Sequence, residues 1–171
     1  MFRFRANLIL MMRLAIFLLL SSVVYVSGTS AQSQEFYIFR SDGSPSSITD
    51  IVNASLTADV LFIGEKHDDP IAHKIELELL KKIFSEASGK KTVTLSMEMF
   101  ERDVQIVLDE YLKGLITENH FLQSSRPWPN YKSDYRPLIE FAKENKIKVI
   151  AANAPRRYVN MVSRNGRNAL D

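Results

Sequence analysis

The chain has 171 residues, of which 46% are hydrophobic, 22 are basic and 20 acidic, and it has no cysteine. That composition fits a globular protein and excludes a disulfide framework, a thiolate metal centre and a lipid-modified cysteine. The basic excess sits at the amino terminus: without residues 1–31 the balance is 19 basic against 20 acidic groups, net −1, so no concentrated basic face for nucleic acid is expected.

Arg3, Arg5 and Arg13 accompany an apolar run over residues 14–26, and Gly28-Thr29-Ser30-Ala31 supplies small residues for cleavage. This is the pattern of a secretory signal peptide over 1–31, and the run is short for a membrane span. The predicted organisation is that signal followed by one domain over 32–171, with membrane contact only through export or an uncleaved signal.

Residues 35–40 read as an edge strand, and Ser41-Asp42-Gly43-Ser44-Pro45 as a loop. Ser46 or Ser47 opens a short helix with Ile48, Ile51, Val52 and Leu56 on one face. Then Asp59-Val60-Leu61-Phe62-Ile63-Gly64-Glu65-Lys66-His67-Asp68-Asp69-Pro70 reads as a buried strand, a tight turn and a helix start, with Asp69 as cap and Pro70 in the first turn. Ile71, Ile75, Leu79 and Ile83 carry that helix to Ser88-Gly89.

A second strand over 92–97 delivers Glu98, and Asp103 is placed to cap a helix bearing Val104, Val107, Leu108 and Tyr111. Thr117 starts another short helix, and Arg126-Pro127-Trp128-Pro129-Asn130-Tyr131 is an aromatic loop because its two prolines forbid a regular helix. A helix over 137–145, a third strand over 148–152 and a last helix from about Pro155 complete the alternation. The expected fold is α/β, a mainly parallel sheet with helices on both faces. Three or four strands make a small sheet for this class, which suggests a truncated domain or one that dimerises.

In such sheets ligands bind beyond the carboxyl ends of the strands. Glu65 and His67 follow the first predicted strand, Glu98 the second, and Asn153, Arg156 and Arg157 the third. A histidine and two carboxylates at one edge suit a divalent metal held by Glu65, His67 and Glu98, or an acid/base pair. The plainer reading makes Glu65 and His67 helix caps and Glu98 an arginine partner. His73 lies six residues beyond His67 near the same opening, whereas His120 reads as a packing or surface residue. Trp128, Tyr131 and Tyr135, with Arg126 and Arg136 beside them, offer flat apolar surface and positive charge for a planar ligand bearing carboxylates.

The segments 59–68, 96–105, 108–114, Arg126-Pro127-Trp128-Pro129-Asn130-Tyr131, Asp134-Tyr135-Arg136-Pro137 and Ala151-Ala152-Asn153-Ala154-Pro155-Arg156-Arg157 together resemble the ChaN-like haem-binding uptake family of the Tiki superfamily. The resemblance implies an exported haem-binding protein of a bacterial periplasm or cell envelope, acting in iron acquisition, with a homodimer helping to enclose the ligand. On this reading Tyr131, Tyr135, His67 or His73 is the axial ligand. Arg126, Arg136, Arg156 and Arg157 would then meet the propionates, with Trp128 against the macrocycle. In the wider superfamily Gly-x-x-His with a later glutamate looks like the site of metal-dependent hydrolases acting on an amide or ester. That alternative would use Gly64, Glu65, His67 and Glu98.

Overall fold

The small antiparallel ribbon of β1 (Ile38–Phe39) and β2 (Pro45–Ser46) turns at Gly43, whose φ of +83° is reached without strain only by glycine. The computed structural model describes residues 36–170, within one compact unit, Glu35–Asp171. The signal pattern over 1–31 lies outside the described residues. Ser47 caps α1 (Ile48–Thr57) in a reciprocal capping box with Asp50. Asp69 caps α2 (Pro70–Ala87), accepting from the backbone N–H of Ile71 at 2.9 Å and of Ala72 at 3.3 Å.

The central sheet is β3 (Thr94–Glu101) paired in parallel with β4 (Lys148–Asn153). Leu95 lies opposite Val149 and Met97 opposite Ala151, and after a register shift Glu101 meets Asn153. The crossover between them runs through a 3₁₀ turn (Arg102–Val104), α3 (Gln105–Leu112), α4 (Glu118–Ser125) and a π-helical turn (Tyr131–Tyr135) that flows into α5 (Arg136–Glu144). After β4 come α6 (Arg156–Asn165) and a closing 3₁₀ turn (Arg167–Leu170). Gln105 acts as a substitute neighbour for β4: its Nε2 donates to the Val149 carbonyl at 2.9 Å and its Oε1 accepts from the Ala151 N–H at 2.8 Å.

Met97 and Met99 of β3 are buried while Ser96 and Glu98 are exposed, the two-residue alternation of a strand with one side on the core. They pack with Val149 and Ala151 of β4, Leu80 of α2, Leu108 and Tyr111 of α3, and Leu138, Ile139 and Ala142 of α5. Phe121 of α4 anchors the aromatic part, stacked on Tyr111 at 4.4 Å and meeting Phe100 and Tyr131 at 5.6 and 5.9 Å.

The α/β class with a parallel sheet is as expected, and three local features differ. Residues 60–63 form no strand; Val60, Leu61, Phe62 and Ile63 are 40–90% exposed and pair with neither β3 nor β4. Their β-branched and aromatic character favours a strand only when a neighbouring edge receives it, and none does here. β3 runs on past the expected end to Glu101, so Glu98 sits inside the strand on its exposed side. Asp103 caps no helix, because the chain enters α3 through the 3₁₀ turn and the Asp103 carboxylate is taken by Arg126 and Arg157.

Candidate functional site

Polar chemistry collects in two hydrogen-bonded groups. The first forms where the loop after residues 60–63 enters α2. Pro70 and the Asp69 cap fix the first turn of that helix, and His73 and Glu76, three residues apart, share one face of it. His73 is 3% exposed; its Nδ1 lies 3.0 Å from Glu76 Oε2 and 3.5 Å from Glu65 Oε2, and its Nε2 is 3.2 Å from the His67 carbonyl oxygen. The Tyr135 hydroxyl donates to Glu65 Oε1, and His67 Nδ1 lies 2.7 Å from the same oxygen. Asn130 Nδ2 donates to the His67 carbonyl at 2.6 Å, which ties the entry loop to the π-helical turn. Rings line the group: His67 against Trp128 at 4.3 Å, Trp128 against Tyr135 at 5.6 Å, and Tyr135 against His73 at 4.5 Å.

The electrostatics follow from burial and these partners. Burial works against a charge on Glu65, but hydrogen bonds from Tyr135, Glu76 and His67 and the nearby His73 outweigh it, so its pKa is lowered. Glu76 is pushed up to about 7, first by burial and then by its hydrogen bond with Glu65, so near neutral pH the proton between the two acids belongs to Glu76 and Glu65 is ionised. Burial alone would lower His73, yet its bonds to the His67 carbonyl and Glu76 raise it. Burial and the Glu65 carboxylate raise Tyr135, and burial raises Tyr131, so both remain neutral phenols.

The second group stands at the carboxyl ends of β3 and β4. Glu101 accepts from the Arg156 backbone N–H at 3.0 Å, from Arg156 Nε, and from Arg126 at 3.1 Å; Asp103 accepts from Arg126 at 2.8 Å and from Arg157. Arg126 holds a left-handed backbone with φ +52°, unusual for a side chain of its size, and its guanidinium bridges the two acids from that position. Burial opposes the Glu101 charge, but the Arg156 N–H, its guanidinium and Arg126 overcome it and lower the pKa. Three guanidiniums share two carboxylates here, a surplus of one positive charge.

Of the residues singled out in the sequence, Glu65, His67, His73, Trp128 and Tyr135 come together in the first group, and Arg126, Arg156 and Arg157 in the second. Glu98 is exposed and belongs to neither. Tyr131 is 2% exposed inside the aromatic core with an unpartnered hydroxyl, and Arg136 is engaged by Glu118 at 2.6 Å. Sequence reasoning missed Glu76, Glu101 and Asn130. Glu76 was open to detection, since i, i+3 spacing from His73 aligns the two on α2. Glu101 required knowing where β3 ends. A cavity of 560 Å³ edged by Lys113, Lys143, Lys146 and Lys148 lies by the amino end of β4, opposite the Arg156 end.

The fold and the first group define an α/β domain with a histidine–carboxylate centre, a donor set suited to a metal ion or an iron-bearing ligand. A family described as haem-binding uptake, Tiki superfamily, ChaN matches residues 51–171, and the chain belongs to that family. A solved structure titled "Cofacial heme binding to ChaN of Campylobacter jejuni" is similar with a TM-score of 0.62 and 21% identity, over 78% of this chain and 54% of that one. At that identity the likeness is one of fold. Protein RETICULATA-RELATED 5, chloroplastic, of Arabidopsis thaliana is 24% identical over 119 residues, 67% of this chain and 16% of its own length. The chain thus spans about half of the structural neighbour and a small part of the plant protein. Among the described residues no helix is long and apolar enough to cross a membrane.

Proposed function

We propose that this protein binds haem in iron acquisition at a bacterial envelope, exported by the signal pattern over 1–31 and acting as a homodimer. The observation that carries the reading is membership, over residues 51–171, of a haem-binding uptake family. The side chains present fit the ligand at His67. Its ring is 53% exposed, and the Nδ1 contact with the ionised Glu65 makes Nδ1 the protonated nitrogen, leaving the Nε2 lone pair for iron. Tyr131 and Tyr135 are weaker candidates, being 2% and 3% exposed and held neutral. Trp128 offers a flat face beside His67.

When bound, haem supplies redox-active iron and two carboxylates. His67 would hold the iron, Glu65 would fix the ring's tautomer, and the surplus charge of Arg126, Arg156 and Arg157 would attract the propionates. Arg156 and Arg157 are 68% and 55% exposed, so they can turn to a ligand without unpacking the core. The test is titration of the full chain with hemin, followed by the Soret band. A saturable shift is expected, with affinity reduced at least about tenfold in His67→Ala and unchanged in Tyr131→Phe. Absence of a saturable shift, or full affinity in His67→Ala, overturns the assignment.

A further inference from the structure

We propose that Glu65, His73 and Glu76 form a site for one divalent cation of the borderline class, with Zn²⁺ as the representative ion. One ligand atom from each lies within 4.8 Å of the others. The imidazole tautomer decides what the three groups present to one another. The His67 carbonyl can only accept, so the proton of neutral His73 must sit on Nε2, the nitrogen 3.2 Å from it. Nδ1 is then a buried lone pair aimed at carboxylate oxygens 3.0 and 3.5 Å away. Three acceptors face one point, and that arrangement holds together only with positive charge between them.

A divalent ion would supply that charge in full: its two charges balance the two carboxylates, and the neutral imidazole is its third ligand. The surroundings match a metal's outer shell. His73 Nε2–H is anchored on a backbone carbonyl that Asn130 also holds, and Glu65 Oε1 is occupied by Tyr135 and His67, so that Oε2 faces inward. Three protein ligands leave a fourth position open, and the Glu65 side chain, 16% exposed, marks the entry. The site does not depend on the haem reading, since His67 touches it only through its carbonyl and through Glu65.

The full chain, haem-free and stripped by chelator, is titrated with Zn²⁺ by calorimetry and with Co²⁺ by its visible d–d bands. One ion per chain is expected, with affinity lowered at least about tenfold in Glu76→Gln and more in His73→Ala. Should His73→Ala fail to fold, long-range ¹H–¹⁵N spectra of the unaltered protein give the same answer: Zn²⁺ shifts His73 Nδ1 while Nε2 stays protonated. No stoichiometric binding, unchanged affinity in Glu76→Gln, or shifts confined to His67 or His120 would overturn the site. Because haem is absent throughout, a negative result here leaves the hemin titration untouched, and the reverse holds.

Discussion

Glu65 and Glu101 are both largely buried carboxylates that gather several donors, and they answer to different company. Around Glu65 a phenol and the His67 imidazole donate to one carboxylate oxygen, the His73 ring lies 3.5 Å from the other, and the neighbouring Glu76 is pushed up to about 7. Around Glu101 the donors are guanidiniums whose own side chains are 68% and 39% exposed. The first group is a fixed geometry bought with desolvation, and such geometry suits coordination. The second is a balance of full charges in water, which suits attraction of an anion and is screened by salt.

The sharpest way to break this contrast is Glu65→Ala. It strips Tyr135 of its acceptor and leaves the buried His73–Glu76 pair unbalanced, so about 3 kcal/mol of stability should be lost in denaturant titration, with little dependence on salt. Next comes Asp69→Ala, which removes the cap that sets the first turn of α2 beneath His73; about 1 kcal/mol should go, read from the same titrations. Glu101→Gln should cost no more than about 1 kcal/mol at low ionic strength, and the loss should fade in concentrated salt. An equally large, salt-insensitive effect at Glu101 would erase the distinction.

Acid sharpens it further. Glu101 has a lowered folded pKa, so its contribution is complete above the ordinary carboxylate range and disappears as pH falls through the lower folded value. Thermal melts of the parent protein and Glu101→Gln should therefore begin to converge below about pH 4 and meet only below the lowered folded value. The smallest effect is expected for Tyr131→Phe, which deletes a buried hydroxyl without a partner: stability should be unchanged or slightly raised.

Local signals carried far along the chain. The Ser47 and Asp69 caps, the stop after Ala87, the Thr117 start and β4 all lie where capping chemistry and periodicity predict them. Glu65, His67 and Trp128 could each be singled out because a polar turn before a capped helix and an aromatic, proline-bounded loop are both local features; their meeting could not. Glu101 was not legible. Whether β3 stops at Met97 or continues depends on its pairing with β4, some fifty residues away. The π-helical turn at Tyr131–Tyr135 was hidden for a similar reason, since its shape is fixed by packing of both tyrosines into the core.

The sequence by itself determined the α/β class, the capped starts of α1, α2 and α4, and the supply of histidine, acid and arginine. Those depend on hydrogen bonds and side-chain spacing within a few residues. Only the tertiary structure decided that residues 60–63 remain unpaired, that Glu76 rather than Glu98 joins Glu65 and His73, and that the arginines gather on Glu101 and Asp103. Strand pairing, register and the burial of a charge are set by what arrives from distant parts of the chain, and no local pattern encodes them.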